Sequence, residues 1–321
     1  MSLKKIGETE ILLSSIGLGC WQFSKNTGIA GSFWPKLSNK TTLEIIETAL
    51  KGNINWFDTA ELYGWGKSEE SLSKSLIDLK TNPKTHFIAT KWWPLFRFSK
   101  SIRNTIQKRL KYLNGFPITL HQVHMPYGFS SIEKEMNAMA DLVQDGLIKH
   151  IGVSNFNQKQ MIRAYNTLEK RGIHLSSNQM EYSILNREIE KNGVMEIAKK
   201  LNISIIAYSP LAQGIATGKF HDNPDLIKSL HRWRKQKLNK RGLSLKKSLP
   251  VINTLKNIAK NHNATPAQIA LAWLINFNQN TFTIPGATHQ NQCQDNIGAM
   301  NIDLSNDELH KLDRVSQNLF V

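Results

Sequence analysis

The stretch Ile54-Asn-Trp-Phe-Asp-Thr-Ala-Glu-Leu-Tyr-Gly64 sets a pattern that the rest of the chain repeats. Its first half is apolar and predicts a buried strand, and the chain turns polar at Asp58, followed by Tyr63. Further short apolar runs also end in polar or turn-forming residues. These are Phe87 to Thr90 before Lys91, Ile118 to Val123 before His124, His150 to Val153 before Ser154 and Asn155, Leu175 to Asn178 before Gln179, Ile203 to Ala207 before Tyr208, and Phe282 to Ile284 before Pro285 and Gly286.

The spacing of these polar residues indicates how the strands are connected. The separations are 33 residues from Asp58 to Lys91, 33 to His124, 31 to Asn155, 24 to Gln179 and 29 to Tyr208. A strand with its returning helix takes roughly 30 residues. Units of this kind close into a (β/α)8 TIM barrel of the α/β class, with catalytic groups at the carboxyl ends of the strands. An open doubly wound sheet is the alternative, but it would gather its functional groups at one crevice. The barrel is therefore favoured.

Six motifs, taken in order, resemble those of the aldo/keto reductases. They are Asp58-Thr-Ala-x-x-Tyr63-Gly, Lys91 after a strand, His124-x-Pro126, Gly152-Val-Ser-Asn155, Tyr208-Ser-Pro-Leu-Ala-Gln-Gly214 and Ile284-Pro-Gly-Ala287. The resemblance covers nearly the whole chain and implies one barrel domain over residues 1–321. It also implies an N-terminal hairpin that plugs the bottom of the barrel, which Lys4 to Leu13 fits. The capping box Ser305-x-x-Glu308 predicts a C-terminal helix.

The chemistry of carbonyl reduction requires a hydride for carbon and a proton for oxygen. A tyrosine can give the proton, and a nearby cation lowers its pKa from an ordinary value of about 10. Lys91 is the candidate cation, Asp58 the carboxylate that holds it, and His124, with a pKa near neutrality, can assist proton transfer. The resemblance makes Tyr63 the general acid with these three residues as its partners. Family members that reduce a steroid double bond have a glutamate in place of His124, so carbonyl reduction is expected here.

A nicotinamide cofactor is implied, because the protein has no hydride donor of its own. The resemblance places Ser154, Asn155 and Gln179 on the nicotinamide carboxamide and Tyr208 against the nicotinamide ring. It places a further group along the pyrophosphate or elsewhere on the cofactor: Trp21, Ser209, Pro210, Leu211, Ala212, Gln213 and Lys219.

The adenine end departs from one common pattern of the family, Ile-Pro-Lys-Ser followed by an arginine that clamps the 2′-phosphate. Gly286 stands in place of the lysine and Gln292 in place of the arginine, whereas Asp295 and Asn296 keep the acid–Asn ending. The loss of that arginine removes a bidentate phosphate clamp. Another branch of the family has the same replacements and still uses NADPH. NADP(H) is therefore expected, with NAD(H) as the alternative and Thr288 as a further contact.

Aromatic residues that follow the strand ends predict a pocket for an apolar or aromatic aldehyde, since they would surround the mouth of the barrel. They are Trp21, Phe33, Trp34, Trp65, Trp92, Trp93, Phe96 and Tyr127. Among them, Trp34, Trp92 and Trp93 are predicted to bind the substrate.

The net charge of +16 is concentrated in part in a basic segment, 228–247, which has no acidic residue. Its basic residues are Lys228, Arg232, Arg234, Lys235, Lys237, Lys240, Arg241, Lys246 and Lys247. Residues 210–249 show little helical periodicity. The basic segment follows the residues expected along the pyrophosphate and lacks a base-stacking platform. We therefore expect a flap beside the cofactor rather than a specific nucleic-acid surface.

The remaining features indicate the compartment and exclude some classes of function. The two cysteines, Cys20 and Cys293, are far apart and form no disulfide framework, which favours a reducing compartment. No signal peptide or membrane span is expected, so the prediction is a cytoplasmic protein. No cluster has the spacing of zinc ligands. Two rivals stay open: a cofactor-binding regulatory subunit resembling the potassium-channel β subunits, and a nucleic-acid-binding protein.

Overall fold

The structure is a computed structural model that describes residues 3–230, 232, 235, 245–278, 280–317 and 319. Within these residues, eight parallel strands form one sheet and pair in the order of the sequence. They are β3 Leu18–Gly19, β4 Trp56–Asp58, β5 Phe87–Trp92, β6 Ile118–Val123, β7 His150–Ser154, β8 Leu175–Glu181, β9 Ser204–Tyr208 and β10 Thr281–Thr283. Pairing of neighbours in sequence is what repeated strand–helix units produce.

The two edges of this sheet meet and close the barrel. The Gly17 N–H donates to the Thr283 carbonyl (2.8 Å), and the Thr283 N–H donates to the Ser15 carbonyl (3.0 Å). The Gly19 N–H donates to the Pro285 carbonyl (3.1 Å). These bonds extend the first strand of the sheet back to Ser15 and leave neither edge open. The (β/α)8 barrel predicted from the spacing is confirmed.

Helices connect the strands and cover the outside of the barrel. The α-helices are Gly28–Gly31, Asn39–Lys51, Lys67–Asp78, Lys100–Leu113, Ile132–Gln144, Gln158–Glu169, Glu188–Lys191, Val194–Lys200, Lys219–Asp222, Leu245–Asn261, Pro266–Phe277, Gln290–Gly298 and Asn306–Ser316. Short 3-10 helices cover Trp21–Ser24, Ala212–Thr217, Pro224–Ile227 and Ala299–Asn301. The capping box of Ser305 and Glu308 opens the last α-helix, as predicted. In the described part of the chain, each helix is too short or too polar to cross a membrane.

The N-terminal hairpin plugs the bottom of the barrel, as expected. Its strands, β1 Leu3–Lys5 and β2 Leu12–Ser14, pair antiparallel. Ile6 and Leu13 pack against side chains of the barrel interior, among them Trp56, Leu120 and Phe282. The Trp56 indole N–H donates to the Ser14 carbonyl at 2.8 Å. The hairpin therefore packs against the side chains that fill this end of the barrel.

The basic segment is only partly covered by the structure. Arg234, Lys237, Lys240 and Arg241 lie outside the described residues. The exposed Lys228 pairs with Asp225, and Lys235 donates to the Lys228 carbonyl. Lys246 and Lys247 begin the helix Leu245–Asn261, so this end of 210–249 is more regular than the sequence predicted. The flap beside the cofactor stays a prediction.

Candidate active site

A cavity of about 570 Å³ opens at the carboxyl ends of the barrel strands. Residues that follow β3 to β10 line it, because parallel strands bring all their carboxyl ends to one face of the barrel. The lining includes Trp21, Gln22, Asp58, Leu62, Tyr63, Trp93, His124, Met125, Ser154, Asn155, Gln179, Tyr208, Lys219, Gly286, Thr288, Gln292, Asp295 and Asn296. Apart from Lys91, the strand-end residues singled out in the sequence thus line one cavity.

A buried ion pair forms the floor of the cavity. Lys91 Nζ lies 2.5 Å from Asp58 Oδ1 and donates to the Thr59 carbonyl at 2.8 Å. Both side chains are almost fully enclosed, with 0% and 2% of their surface exposed. The amides of Gln179 (2.8 Å) and Gln122 (3.3 Å) donate to the other Asp58 oxygen. Burial lowers the pKa of Lys91, while the Asp58 carboxylate opposes that shift.

Tyr63 lies directly above this pair. Lys91 Nζ is 5.0 Å from the centroid of the Tyr63 ring, and Trp21 stacks on the ring with centroids 5.9 Å apart. Enclosure in the cavity, followed by the Asp58 carboxylate, raises the pKa of Tyr63 well above its usual value. The sequence led us to expect that Lys91 lowers this pKa, and that expectation was wrong. The phenol keeps its proton at neutral pH.

His124 follows β6 and faces Tyr63. The two rings meet edge to face with centroids 5.8 Å apart, and Trp93 meets the imidazole in the same way at 5.3 Å. Enclosure and the nearby Lys91 charge lower the pKa of His124 well below its usual value. The expectation of a pKa near neutrality was therefore wrong. The imidazole is neutral at physiological pH and can both donate and accept a hydrogen bond.

The residues predicted for the nicotinamide form a connected hydrogen-bond network on one wall. The Tyr208 hydroxyl donates to Asn155 Oδ1 at 2.8 Å, and the Asn155 amide donates to Ser154 Oγ at 3.0 Å. The Ser154 hydroxyl donates in turn to the Gln179 carbonyl at 2.9 Å. Asn155 has a φ of +61°, a conformation that asparagine adopts more readily than most residues. These hydrogen bonds hold the side chains of the wall in fixed positions.

The loop after β9 forms the next part of the wall. Ser209, Pro210, Leu211 and Gln213 line the cavity, whereas Ala212 is buried outside it, contrary to its predicted role. The Lys219 ammonium lies 3.7 Å from where a Cβ on Gly214 would be. The Ser209 hydroxyl, the Gln213 amide and the Lys219 ammonium therefore follow one another along this wall. This set of donors suits an anionic ligand.

The adenine end of the predicted site is shaped by Gly286. A Cβ at this residue would lie 2.2 Å from the side-chain amide of Gln22, so the missing side chain makes room for that amide. The buried Gln22 Oε1 has no hydrogen-bond partner in the described part of the chain. Gln292 forms hydrogen bonds within the wall of the cavity, since its Oε1 accepts from the Thr288 N–H and hydroxyl. Asp295 accepts from the Thr265 hydroxyl at 2.9 Å.

Seven of the eight aromatic residues predicted around the mouth separate into three groups, and the eighth, Phe33, stacks on Trp21 with ring centroids 4.8 Å apart. Trp21, Trp34 and Trp93 line the cavity together with Leu62 and Met125. Trp65, Phe96 and Tyr127 are exposed outside it. Trp92 is fully buried, and its indole N–H donates to Ser101 on the helix side of the barrel. The prediction that Trp92 binds substrate was wrong, because Trp92 and its neighbour Lys91 point to opposite faces of β5.

Sequence reasoning missed two residues of the site, Gln122 and Gln22. A sequence signal existed for Gln122, since it precedes His124 by two positions in a strand and must share its face. Gln22 sits in the 3-10 helix after β3, where no periodicity indicates direction. Within the described residues, no three His, Cys, Asp or Glu side chains come together as a metal site.

Comparisons with known proteins agree with this geometry. The model of the aldo/keto reductase family matches residues 15–317. An uncharacterized oxidoreductase of Mycobacterium tuberculosis, Rv2298, is 32% identical over 295 residues, which are 91% of this chain and 86% of that protein. The aldo-keto reductase yakc [NADP(+)] of Schizosaccharomyces pombe is 27% identical over 331 residues, 98% of this chain and 91% of the relative.

A solved structure shows the same similarity in three dimensions. The thermostable aldo-keto reductase Tm1743, crystallised with the inhibitor epalrestat, superposes with a TM-score of 0.79 at 30% identity. The match covers 98% of this chain and all of the other. The protein therefore belongs to the aldo/keto reductase family and is an oxidoreductase.

Proposed function

We propose that this protein reduces aldehydes or ketones to alcohols with NADPH, and that Tyr63 donates the proton. The observation that carries the proposal is the position of Tyr63 above the buried Lys91–Asp58 pair, inside the cavity and beside His124. A phenol with a raised pKa remains protonated at neutral pH and can therefore act as a proton donor.

The cavity fits a nicotinamide dinucleotide. Its wall runs from Asn155 and Tyr208, past Lys219, to the Gly286 region, with an unpartnered Gln22 oxygen within the described residues. Lys219 provides a cation in the middle of this path, where a diphosphate would lie. The relative from Schizosaccharomyces pombe is named for NADP(+). When bound, such a cofactor supplies the hydride.

The chain's own residues then supply the proton and the orientation. Tyr63 gives its hydroxyl proton to the carbonyl oxygen, and the resulting phenolate lies close to the Lys91 ammonium, which stabilises it. His124, neutral in this site, donates a hydrogen bond to the same oxygen and fixes its position. The indoles of Trp34 and Trp93 exclude water from the substrate side. This arrangement favours apolar or aromatic carbonyl compounds.

Tyr63→Phe tests the proposal, because it removes only the hydroxyl. General acid catalysis contributes roughly 10²–10⁴-fold in rate, so we expect a loss of that size in the kcat for an aldehyde with NADPH. The dissociation constant of NADPH, measured by fluorescence quenching, should stay within about twofold. Tyr165→Phe, on the helix Gln158–Glu169 and outside the cavity, is the matched control and should keep full activity.

The same measurements separate this function from the rival regulatory subunit. A purified wild-type protein that binds NADPH but turns over no aldehyde or ketone in a broad panel would favour a cofactor-binding regulatory subunit. A Tyr63→Phe variant that loses less than about tenfold in kcat would contradict the role of Tyr63.

A further inference from the structure

The loop that carries Tyr63 has an unfavourable backbone conformation. After Tyr63, three successive residues have positive φ values, Gly64 at +68°, Trp65 at +54° and Gly66 at +102°. The conformation is easy for glycine but strained for a residue such as tryptophan. Such a loop keeps its shape only when its surroundings hold it. The contacts that hold it therefore bear on where the phenol lies.

Glu61 provides the most extensive of these contacts. The Thr59 and Glu61 N–H groups donate to the Ala89 and Lys91 carbonyls at 2.8 and 3.1 Å, which continues the pairing of β4 with β5. One step further, the Trp93 N–H donates to the Glu61 carboxylate at 3.1 Å. The side chain thus takes the place of the next backbone acceptor at the point where the two chains separate. It joins the loop of Tyr63 to Trp93, which lines the cavity.

Two arginines complete the environment of the Glu61 carboxylate. Arg97 donates to both of its oxygens at 2.9 and 3.0 Å, and Arg109 Nη1 lies 3.7 Å away. The Arg97 carbonyl accepts from the Phe129 N–H at 2.8 Å, which connects the loop after β6 to the same cluster. The carboxylate is 6% exposed. The Glu61 side chain therefore joins the loops that follow β4 and β5, and the Arg97 backbone joins the second of these to the loop after β6.

We propose that Glu61 is a positioning residue for the reaction, acting through Tyr63 and Trp93 without touching the substrate. This inference rests on the proposed function. Three groups of the cavity, Tyr63, Trp93 and His124, follow the three strands that the Glu61 cluster joins. A misplacement of about 1 Å can reduce a rate by a hundredfold, so a carboxylate that fixes these loops affects kcat.

Glu61→Gln is the informative variant, because it keeps an acceptor for the Trp93 N–H and removes the charge that binds Arg97. The fold should tolerate it. Arg97 is 28% exposed and can turn towards solvent, and Arg109 keeps Glu69 at 3.1 Å. The matched control is Glu190→Gln, which removes a partly buried carboxylate from Arg187 outside the cavity lining.

The experiment compares steady-state kinetics, NADPH affinity and thermal stability for the wild type and both variants. For Glu61→Gln we expect kcat to fall roughly ten- to a hundredfold, with KM and the NADPH dissociation constant within about twofold. The solvent deuterium isotope effect on kcat should rise, because proton transfer from a misplaced phenol becomes slower. Glu190→Gln should lose stability while kcat and its isotope effect stay at the wild-type values.

Each outcome decides the matter. Wild-type kcat and isotope effect in a folded Glu61→Gln protein would overturn the inference, as would an equal loss of kcat in Glu190→Gln. If Glu61→Gln does not fold, Arg97→Gln takes its place, and its failure to lower kcat would have the same meaning. A wild type without any carbonyl turnover would instead remove the proposed function, and the role of Glu61 with it.

Discussion

Replacing one member of the Asp58–Lys91 pair should reveal how much the floor of the cavity stabilises the fold. Removing one partner of a buried ion pair costs about 3–5 kcal/mol, because the other charge is left without compensation. For Lys91→Met we expect the lower part of this range. Asp58 would keep the amide hydrogen bonds of Gln179 and Gln122, which partly replace the lost ammonium.

The double variant Asp58→Asn with Lys91→Met tests the coupling. It leaves no charge on the floor, so its unfolding free energy should lie at least about 2 kcal/mol above the value expected from adding the single effects. Urea unfolding followed by circular dichroism at neutral pH measures the unfolding free energies of Asp58→Asn, Lys91→Met and the double variant. The exposed pair Lys74–Asp78 is the control, and Lys74→Met should change stability by less than about 1 kcal/mol. Strictly additive single effects would refute the assignment of a coupled buried pair.

Two further predictions concern neighbouring parts of the molecule. Burial raises the pKa of Glu69 from 4.5 to about 7. The folded protein therefore binds this proton more tightly than the unfolded chain does. The resulting contribution to the free energy of unfolding is fully present below pH 4.5 and is lost as the pH rises to about 7. Glu69→Gln should therefore become more stable relative to wild type as pH rises through this window, by at most about 1.4 kcal/mol per pH unit. Urea unfolding at several pH values measures this, and the same pH dependence of the unfolding free energy in both proteins would contradict it. Gly286→Ala should push the Gln22 amide into the cavity and weaken NADPH binding, with recovery when Gln22→Ala is added, and unchanged affinity in fluorescence titration would exclude the clash.

The fold was predictable because its signal repeats along the chain. Each strand is a short apolar run that ends in a polar residue, and regular spacing restricts the connections to strand–helix units. Closure of the barrel needs no additional sequence signal, since the contacts between residues 15–19 and 283–286 follow from the number of units. The extent of one domain over 1–321 stays a prediction.

Side-chain direction within a strand explains both an error and an omission in the predicted site. Lys91 and Trp93 face the cavity region, so Trp92 between them faces the helices. The same alternation places Gln122 on the face of His124, where it donates to Asp58. Counting positions along each strand would have excluded Trp92 and added Gln122. No comparable rule applies to Gln22 or Glu61, because the residues around them are distant in sequence and are brought close only by the tertiary fold.

The electrostatic character of the site could not be read from residue types, because burial depends on the complete barrel. The sequence paired a tyrosine with a lysine and predicted a lowered phenol pKa. In the folded protein, Lys91 is already engaged by Asp58, and the effects on Tyr63 come from enclosure and the Asp58 carboxylate, both of which raise its pKa. The resting phenol therefore holds its proton firmly. On the proposed mechanism, the benefit of Lys91 arises after transfer, when a phenolate forms above its ammonium, since a charge stabilises the state in which an opposite charge has developed.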